Sequence, residues 1–396
     1  MKVAIIGGGV GGLTAALALA RKGVEVEVYE QTPALTDVGA SLQLGPNAVR
    51  LADELGLLPR LREIGVQPHA VDLVRWDDGS VLLHTELGVA AEEYFGAPEL
   101  DVFRPDLQRA LFDALPPGIV RLGVRVVSVE QDDDGVGVQL HGGSSVRADA
   151  AVAADGIRSA IRQQFVGSDD PVFSGTVVYR GVVPREEAAE LHPDRVNVYW
   201  LGPRRHGVAY WIAAGRLLAV NCAVQDAEWS KESWTLEASA GEAMAYFEGW
   251  HEPLLARIRC VRTMLRGAVF VRRPLERWSF GRVTLLGDAA HAMEPFEAQG
   301  AAQAVEDAYV LGECMGDDPD DVVCAFTRYE AIRMERGRAI QASSSGAANV
   351  FYLPDGPEQR ERDARYVTLH ETLPWGPRQP IWEYDVRDAL VAHRGA

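Results

Sequence analysis

The stretch Gly7-Gly8-Gly9-Val10-Gly11-Gly12 decides how this chain is read. It holds G-x-G-x-x-G at Gly7, Gly9 and Gly12, between the apolar run Val3-Ala4-Ile5-Ile6 and an Ala/Leu-rich stretch from Leu13 to Arg21. A short apolar run suits a parallel strand buried on both faces. Gly23 stands where a left-handed helix cap falls, and Val24 to Tyr29 resumes as a second strand alternating Val with Glu. In that setting the first glycine permits a tight turn and the second lets backbone approach a pyrophosphate. The third allows close helix–strand packing, and the helix N-terminus adds amide donors and a positive dipole. Glu30 ends the second strand, where a carboxylate can accept hydrogen bonds from a ribose diol. The motif reads as a dinucleotide site, with a purely structural glycine turn as the bland alternative.

Outward from this motif, a helix is expected from about Asn47 to Gly56 and another from Pro105 to Leu115, where Pro at the start costs little. Residues 119–154 carry β-type runs with a hairpin signal at Asp134-Gly135, ending in a small-residue strand, Ala148 to Ala154. The character changes over 172–225, where Thr176–Val183, Val196–Tyr199, Val208–Ile212 and Leu217–Val224 read as an antiparallel sheet inserted into an α/β frame. The α/β style returns with a strand at Arg282 to Leu286, a long helix from Gln299 and a second over roughly 320–348. Beyond Leu353 periodicity is weak. The expected division is a first nucleotide-binding part over 1–170 with minor segments of the inserted domain, a mainly β part over 171–270, a second nucleotide-binding part with long helices over 271–350, and a C-terminal segment over 351–396.

Of 396 residues 47% are hydrophobic, enough for a large core. Lys plus Arg number 39 against 57 Asp plus Glu, a formal charge of −18, which argues against nucleic acid or an anionic membrane as partner. Cys222, Cys260, Cys314 and Cys324 lack metal-ligand spacing and read as reduced core thiols. No apolar run approaches the ~20 residues of a spanning helix, and the strand begins at once after Met1. No leader, no membrane span, no metal and a cytoplasmic location are therefore expected.

A second segment separates FAD from NAD. Gly287-Asp288-Ala289-Ala290-His291 follows the strand at Arg282–Leu286, and Pro295 precedes Gln299-Gly300-Ala301-Ala302 at a helix start. A carboxylate at a strand end can bind polyol hydroxyls, and small residues at a helix start let amides reach a ring carbonyl. With Asp155-Gly156 in Ala153-Ala154-Asp155-Gly156-Ile157-Arg158-Ser159, these marks make the chain resemble the group A FAD-dependent aromatic hydroxylases, the family of para-hydroxybenzoate and salicylate hydroxylases. The resemblance spans nearly the whole length and extends to Val38–Asn47 and Tyr352–Gly356. It looks most like hydroxylases of salicylate, 3-hydroxybenzoate and 6-hydroxynicotinate.

The resemblance implies an α/β fold in which a Rossmann-like FAD-binding domain is interleaved with an antiparallel β-sheet substrate domain and followed by C-terminal helices. It implies non-covalent FAD, with NADH or NADPH as a transient co-substrate and O2 as oxidant. Turnover would run through a flavin C4a-hydroperoxide that hydroxylates a small aromatic or heteroaromatic ring. Glu30 would hold the adenosine ribose and Asp288 the ribityl chain. Arg104 would contact FAD, and Gly300 and Ala301 would offer amides to the pyrimidine edge. Asp155 is associated with FAD and the visiting nicotinamide. Arg104 reads otherwise as a surface residue at a helix start. A homodimer is left open.

His206 and Tyr210, four apart in a strand, share a face, a spacing similar to that of the 3-hydroxybenzoate and 6-hydroxynicotinate enzymes. There His206 would deprotonate a substrate phenol, a task suited to an unperturbed imidazole near ~6.5; the bland reading is a core His beside a core Tyr. Gln299 matches a glutamine at the flavin's substrate face, or is a polar residue at a helix start. Gln43 lines the pocket or faces solvent in a loop. Pro295 and Glu297 are further pocket candidates.

Two departures from the family pattern stand out: Ala292 replaces a usual Pro, and Glu297, with Glu294 before it, replaces an apolar residue. A carboxylate beside the flavin disfavours an anionic benzoate and suits an amine or pyridine nitrogen, but surface carboxylates facing solvent are the expected reading. Rival functions are a tailoring monooxygenase or epoxidase acting on a larger natural-product intermediate, an NAD-dependent dehydrogenase, and an FAD binder without turnover. The dehydrogenase leaves Gly287-Asp288 unexplained.

Overall fold

The computed structural model describes residues 1–35, 39–226 and 236–394; Val38, in one of the stretches quoted above, lies outside them. One sheet has the order Ser279–Phe280, Val283–Leu285, Ala150–Ala153, Lys2–Ile6, Glu25–Glu30, Val120–Leu122. It is parallel except for the antiparallel edge pair Ser279–Phe280 and Val283–Leu285. Its central strands are apolar on both faces because helices cover both, as the run Val3–Ile6 requires. The helix Val10–Arg21 packs against Gly300–Asp317. Their backbones meet at Gly312, where a Cβ would stand 2.9 Å from the Ala18 Cβ.

The second sheet has eight strands in the order Leu236–Ala238, Met264–Val271, Val172–Pro184, Leu217–Gln225, Arg205–Ile212, Val196–Gly202, Ala70–Arg75, Val81–Glu86. Every pairing is antiparallel except that between Val196–Gly202 and Ala70–Arg75. One face is packed by the helices Ala240–Tyr246 and Glu252–Cys260 through Trp200, Ala209, Trp211 and Leu254. The other face, carrying Tyr199, His206, Val208 and Tyr210, looks toward the nucleotide half.

The mixed α/β architecture is the one expected, with several boundary differences. The run 148–154 splits at Asp149: Ser145–Ala148 joins a small antiparallel sheet, and Ala150–Ala153 joins the parallel one. The Asp149 carboxylate accepts the Lys2 amide at 2.6 Å, which fixes that break. The Asp134-Gly135 turn joins Val126–Asp132 to Gly135–Leu140. The tail of weak periodicity forms three helices, Pro357–Leu369, Gln379–Glu383 and Val386–Arg394. They hold through a few anchors, chiefly Tyr366, Ile381, Trp382 and Leu390, rather than through a continuous apolar stripe. Trp382 is the firmest: its indole closes on Gly45, where a Cβ would lie 2.5 Å from Nε1, and its carbonyl accepts from Arg50 at 3.0 Å.

The cysteines are not uniformly core. Cys222 and Cys314 are buried and Cys260 is half-buried, but Cys324 is exposed in the first turn of Val322–Phe351, where its amide bonds the Asp321 side chain. No helix among the described residues is long and apolar enough to cross a membrane, and no cluster of His, Cys, Asp and Glu among them could hold a metal ion.

Candidate functional site

The glycine turn is built from its own backbone. Gly7 has φ +105°, a conformation costly for a residue with a Cβ, and a Cβ on Gly12 would fall 2.0 Å from the Gly7 carbonyl oxygen. Gly9 faces open space. The turn touches the other parts of the chain singled out for the cofactor. Gln108 donates to the Gly8 carbonyl at 2.6 Å, Gly7 abuts Ala154 and Asp155, and Gly11 abuts Leu286. Residues 7–12, 104–108, 154–155 and 286–288 thus converge.

Glu30 is nearly buried. Its Oε2 accepts the Gly8 amide at 2.6 Å, and its Oε1 accepts the amide and hydroxyl of Thr32 at 2.8 and 2.9 Å. A carboxylate has about four lone-pair sites, so Glu30 braces the turn and retains capacity for a diol. Asp288 is exposed at the start of the short helix Asp288–His291. Protein crowds it on its other sides, so desolvation raises its pKa, while His291 and Arg104 pull the other way. Arg104 opens the helix Arg104–Asp113 and stands close enough to influence both Asp288 and Arg180. Asp155 Oδ2 accepts the Ala160 amide at 2.9 Å, while its buried Oδ1 has no hydrogen-bond partner. Gly300 begins the helix Gly300–Asp317, and a Cβ there would meet nothing. An open glycine turn, a diol-capable carboxylate, Asp288 in the cleft and an unobstructed helix start fit an extended dinucleotide such as FAD.

Behind that helix lies a buried network that the motifs do not announce. Arg333 donates through Nε to Asp307 at 2.9 Å, through Nη1 to Glu306 at 2.6 Å and through Nη2 to Gln303 at 2.7 Å. Asp307 also accepts from the Gly287 amide and meets His291 Nε2 at 2.6 Å. Despite complete burial its pKa is lowered, because His291 and Arg333 outweigh desolvation. Gln299 belongs here. Its Oε1 accepts from Asn47 and Gln303, both at 3.1 Å, and its side chain is buried. Of the two readings of Gln299, its side chain follows the one at the helix start, where Asn47 and Gln303 draw it inward.

The substrate-side candidates His206 and Tyr210 share the inward face of Arg205–Ile212, and register adds Tyr199, opposite Val208, to that face. His206 is enclosed by Phe296, Phe351 and Tyr352, with ring centroids 5.6, 5.7 and 5.6 Å away. Burial pushes its pKa down to about 4, which corrects the expectation of an unperturbed imidazole. The ring is neutral at pH 7, and its buried Nδ1 has no hydrogen-bond partner. Tyr210 bonds Ser41 at 2.7 Å, and Asn221 meets the same hydroxyl at 3.0 Å. Gln43, read as pocket or solvent loop, is buried; its Oε1 accepts from Tyr199 at 2.6 Å and from Arg378 at 3.3 Å.

Pro295 is exposed on the loop before Gly300, but its acidic neighbours are not the solvent-facing pair expected. Glu294 is buried, and its raised pKa is moderated by Ser345 and Ser174. Glu297 is half-buried: Ser343 donates to its Oε1 at 2.7 Å, while its Oε2 is buried without a partner. The long helix Val322–Phe351 supplies serines that draw both carboxylates in. Sequence reasoning also missed Tyr199, Arg378 and the carboxyls Glu99 and Asp101 behind Gln43. Arg378 lies 3.1 Å from Glu99 and stacks over Trp382 at 5.0 Å.

Comparison with known proteins bears on this arrangement. A family described as an FAD binding domain matches residues 1–317. The chain is 41% identical to 3-amino-4-hydroxybenzoate 2-monooxygenase PtmB3 of Streptomyces platensis, covering 99% of this chain and 98% of that one. It is 36% identical to 3-hydroxybenzoate 6-hydroxylase of Polaromonas naphthalenivorans, covering 98% and 95%. Among solved structures it resembles Klebsiella pneumoniae HpxO complexed with FAD and uric acid, at TM-score 0.84 and 29% identity over 98% of this chain and 97% of that one.

Proposed function

The chain belongs to the FAD binding domain family of single-component aromatic monooxygenases, and from that premise we propose that its substrate is a small aromatic acid bearing an amino and a hydroxyl group. The first candidate is 3-amino-4-hydroxybenzoate, the substrate printed in the name of the Streptomyces platensis relative. One structural observation carries the choice: Glu294 and Glu297 are drawn inward on the loop preceding Gly300. Carboxylates there favour an aromatic amine over a bare benzoate.

FAD is the cofactor and NAD(P)H the reductant; bound FAD supplies the activation of O2 that delivers one oxygen atom to the ring. The Gly7–Gly12 turn would receive the pyrophosphate, Glu30 the ribose diol and Asp288 the ribityl hydroxyls. Arg104 and Asp155 would hold the cofactor further, and the Gly300 and Ala301 amides would serve its ring. His206, neutral and with a spare nitrogen, accepts a hydrogen bond from the substrate hydroxyl. It withdraws that proton as the ring gains electron demand, making the ring more nucleophilic. Its low pKa is not a bar to this step, because the phenolate formed beside it stabilises the imidazolium. Tyr210 helps orient the ring, and Phe296, Phe351 and Tyr352 keep water from it. Four cysteines present as thiols support a cytoplasmic setting.

The test is substrate-stimulated NADH oxidation with product detection, using 3-amino-4-hydroxybenzoate, 3-hydroxybenzoate and 6-hydroxynicotinate. Coupled turnover fastest with the aminohydroxybenzoate supports the assignment. Coupled turnover only with the other two removes it and leaves the monooxygenase chemistry intact.

A further inference from the structure

The wall formed by Gln43 and Tyr199 has a fixed hydrogen-bond polarity. One Gln43 side-chain atom contacts both Tyr199 Oη and Arg378 Nη1. A guanidinium can only donate, so that atom is the amide oxygen, and the flip that usually leaves a glutamine ambiguous is decided. Tyr199 must then donate its own proton to Gln43. Its remaining hydrogen-bonding capacity is a lone pair, and its half-exposed side chain lies on the sheet face shared with His206 and Tyr210.

The same assignment turns Gln43 Nε2 toward Asp101. The two residues are cross-strand neighbours in the pair Ser41–Leu44 and Leu100–Phe103. Asp101 is fully buried, and neither of its oxygens has a hydrogen-bond partner in good geometry. The nearby donors Gln43 Nε2 and Asn197 Nδ2 are likewise buried without partners, although both stand close enough to favour the charged form of Asp101. The Asp101 carboxyl and the two amide donors left over in one dry compartment complement each other, and small rotations bring the amides onto its acceptor oxygen. Glu99, just before that strand, pairs with Arg378 at 3.1 Å. Burial and that neighbouring carboxylate hold Asp101 well above the usual carboxylate range, and burial pushes the Tyr199 hydroxyl up to about 12, so Tyr199 stays protonated during turnover.

Resting on the function proposed above, we infer that Asp101 orients Gln43 and Gln43 orients Tyr199, so that Tyr199 offers the substrate an acceptor and selects rings bearing an N–H or O–H donor beside it. Asp101 is a positioning residue; Tyr199 is the residue that touches the ring. An amine or hydroxyl is admitted, and a methyl group of similar size leaves the Tyr199 lone pair buried and unused, which is where discrimination arises.

The experiment measures dissociation constants of FAD-loaded enzyme for 3-amino-4-hydroxybenzoate and 3-methyl-4-hydroxybenzoate, from the perturbation of flavin absorbance. Wild type should prefer the amine by about tenfold, the scale of one neutral buried hydrogen bond. Tyr199→Phe should erase that ratio at unchanged FAD content. Asp101→Asn, which lets the neighbouring amides re-pair, should reduce it less, with the ratio rather than overall affinity as the readout. A ratio unchanged in Tyr199→Phe, with both ligands binding, overturns the inference and spares the proposed function. Failure of both ligands to bind wild type overturns the substrate class, and this inference with it.

Discussion

Two buried polar clusters flank the site, and they are built on opposite principles. Behind the helix Gly300–Asp317, Arg333 directs three nitrogens onto three different acceptors, and Asp307 collects an amide, an imidazole and a guanidinium. Behind the substrate wall, Asp101, Gln43 Nε2 and Asn197 Nδ2 are just as dry, yet each has unused hydrogen-bonding capacity. Removing polar groups from water is costly unless they are paired. In the first cluster Arg333 and Asp307 meet that cost fully, tying Gly287 to the long helices, and only peripheral atoms such as His291 Nδ1 and Asn47 Oδ1 lack partners. The second leaves both Asp101 oxygens and two amide donors unpaired at its centre, the deficit on which the inference about Tyr199 rests.

The contrast breaks most readily at Arg333. Arg333→Met leaves Glu306 and Asp307 facing each other in a dry interior, and the expected loss is about 3–5 kcal/mol in urea unfolding, with FAD content falling in parallel. Stability within 1 kcal/mol of wild type on the scale of ordinary surface substitutions, roughly ±0.5 kcal/mol, would show that the network does not hold these elements together. On the substrate side, His206→Gln should keep FAD and basal NADH oxidation while slowing hydroxylation by roughly 100-fold, with reduced oxygen diverted to hydrogen peroxide. The ratio of product to NADH consumed reads this directly. A wild-type ratio would assign His206 to packing alone.

Acid sharpens the comparison further. The folded His206 pKa, about 4, lies below the ordinary histidine value, so between those two pH values the unfolded chain binds a proton that the folded chain refuses. Its stabilising share is therefore whole above pH ~6.5 and is lost as pH falls toward 4. From pH ~6.5 to ~4.5 the loss is about 2–3 kcal/mol. His192, depressed similarly by burial and by Arg257, adds its own share. His206→Gln should be measurably less acid-sensitive than wild type in paired melting curves, and parallel curves would contradict the burial assigned to that ring. The smallest effect is expected at Glu30, which braces the turn from within. Glu30→Ala should weaken FAD about tenfold, through the loss of charge-assisted bonds. Unchanged affinity by titration would leave Glu30 with Gly8 and Thr32 only.

The nucleotide half was legible because its chemistry is written in consecutive residues. A strand, a glycine turn and a terminal carboxylate over residues 2–30 state both fold and ligand, and Gly287-Asp288 restates the ligand from the far end. Strand periodicity put His206 and Tyr210 on one face of the second sheet, and the resemblance to the hydroxylases singled that face out. What stayed hidden has no local signature. Glu99 and Asp101 alternate with apolar residues, a pattern that ordinarily sends charges outward, and here the loop-and-strand pair Ser41–Leu44 covers them. Arg378 comes from a tail without periodicity, and Gln299 turned inward because Asn47 and Gln303, distant or unremarkable in sequence, offered donors. Pairings of this kind depend on tertiary neighbours, and no spacing rule anticipates them. Cys324 was misread for a simpler reason: it falls on the exposed face of a half-packed helix, and a lone cysteine carries no mark of its orientation.

The seating of Trp382 against Gly45 and of Arg378 against Gln43 has a consequence for how the enzyme is made. The ribosome delivers the glycine turn some 370 residues before these closing ones. At ~5–20 residues per second, tens of seconds separate the two. Throughout that interval Glu99 and Asp101 await their guanidinium, and the cleft lacks a wall. The newborn chain can shape its first βαβ unit early, but the flavin cradle waits for Asp288 and the polarity of the substrate wall for Arg378. Chains interrupted before Asp288 should accumulate as colourless, protease-sensitive fragments, although they carry every residue of the motif that announced the fold.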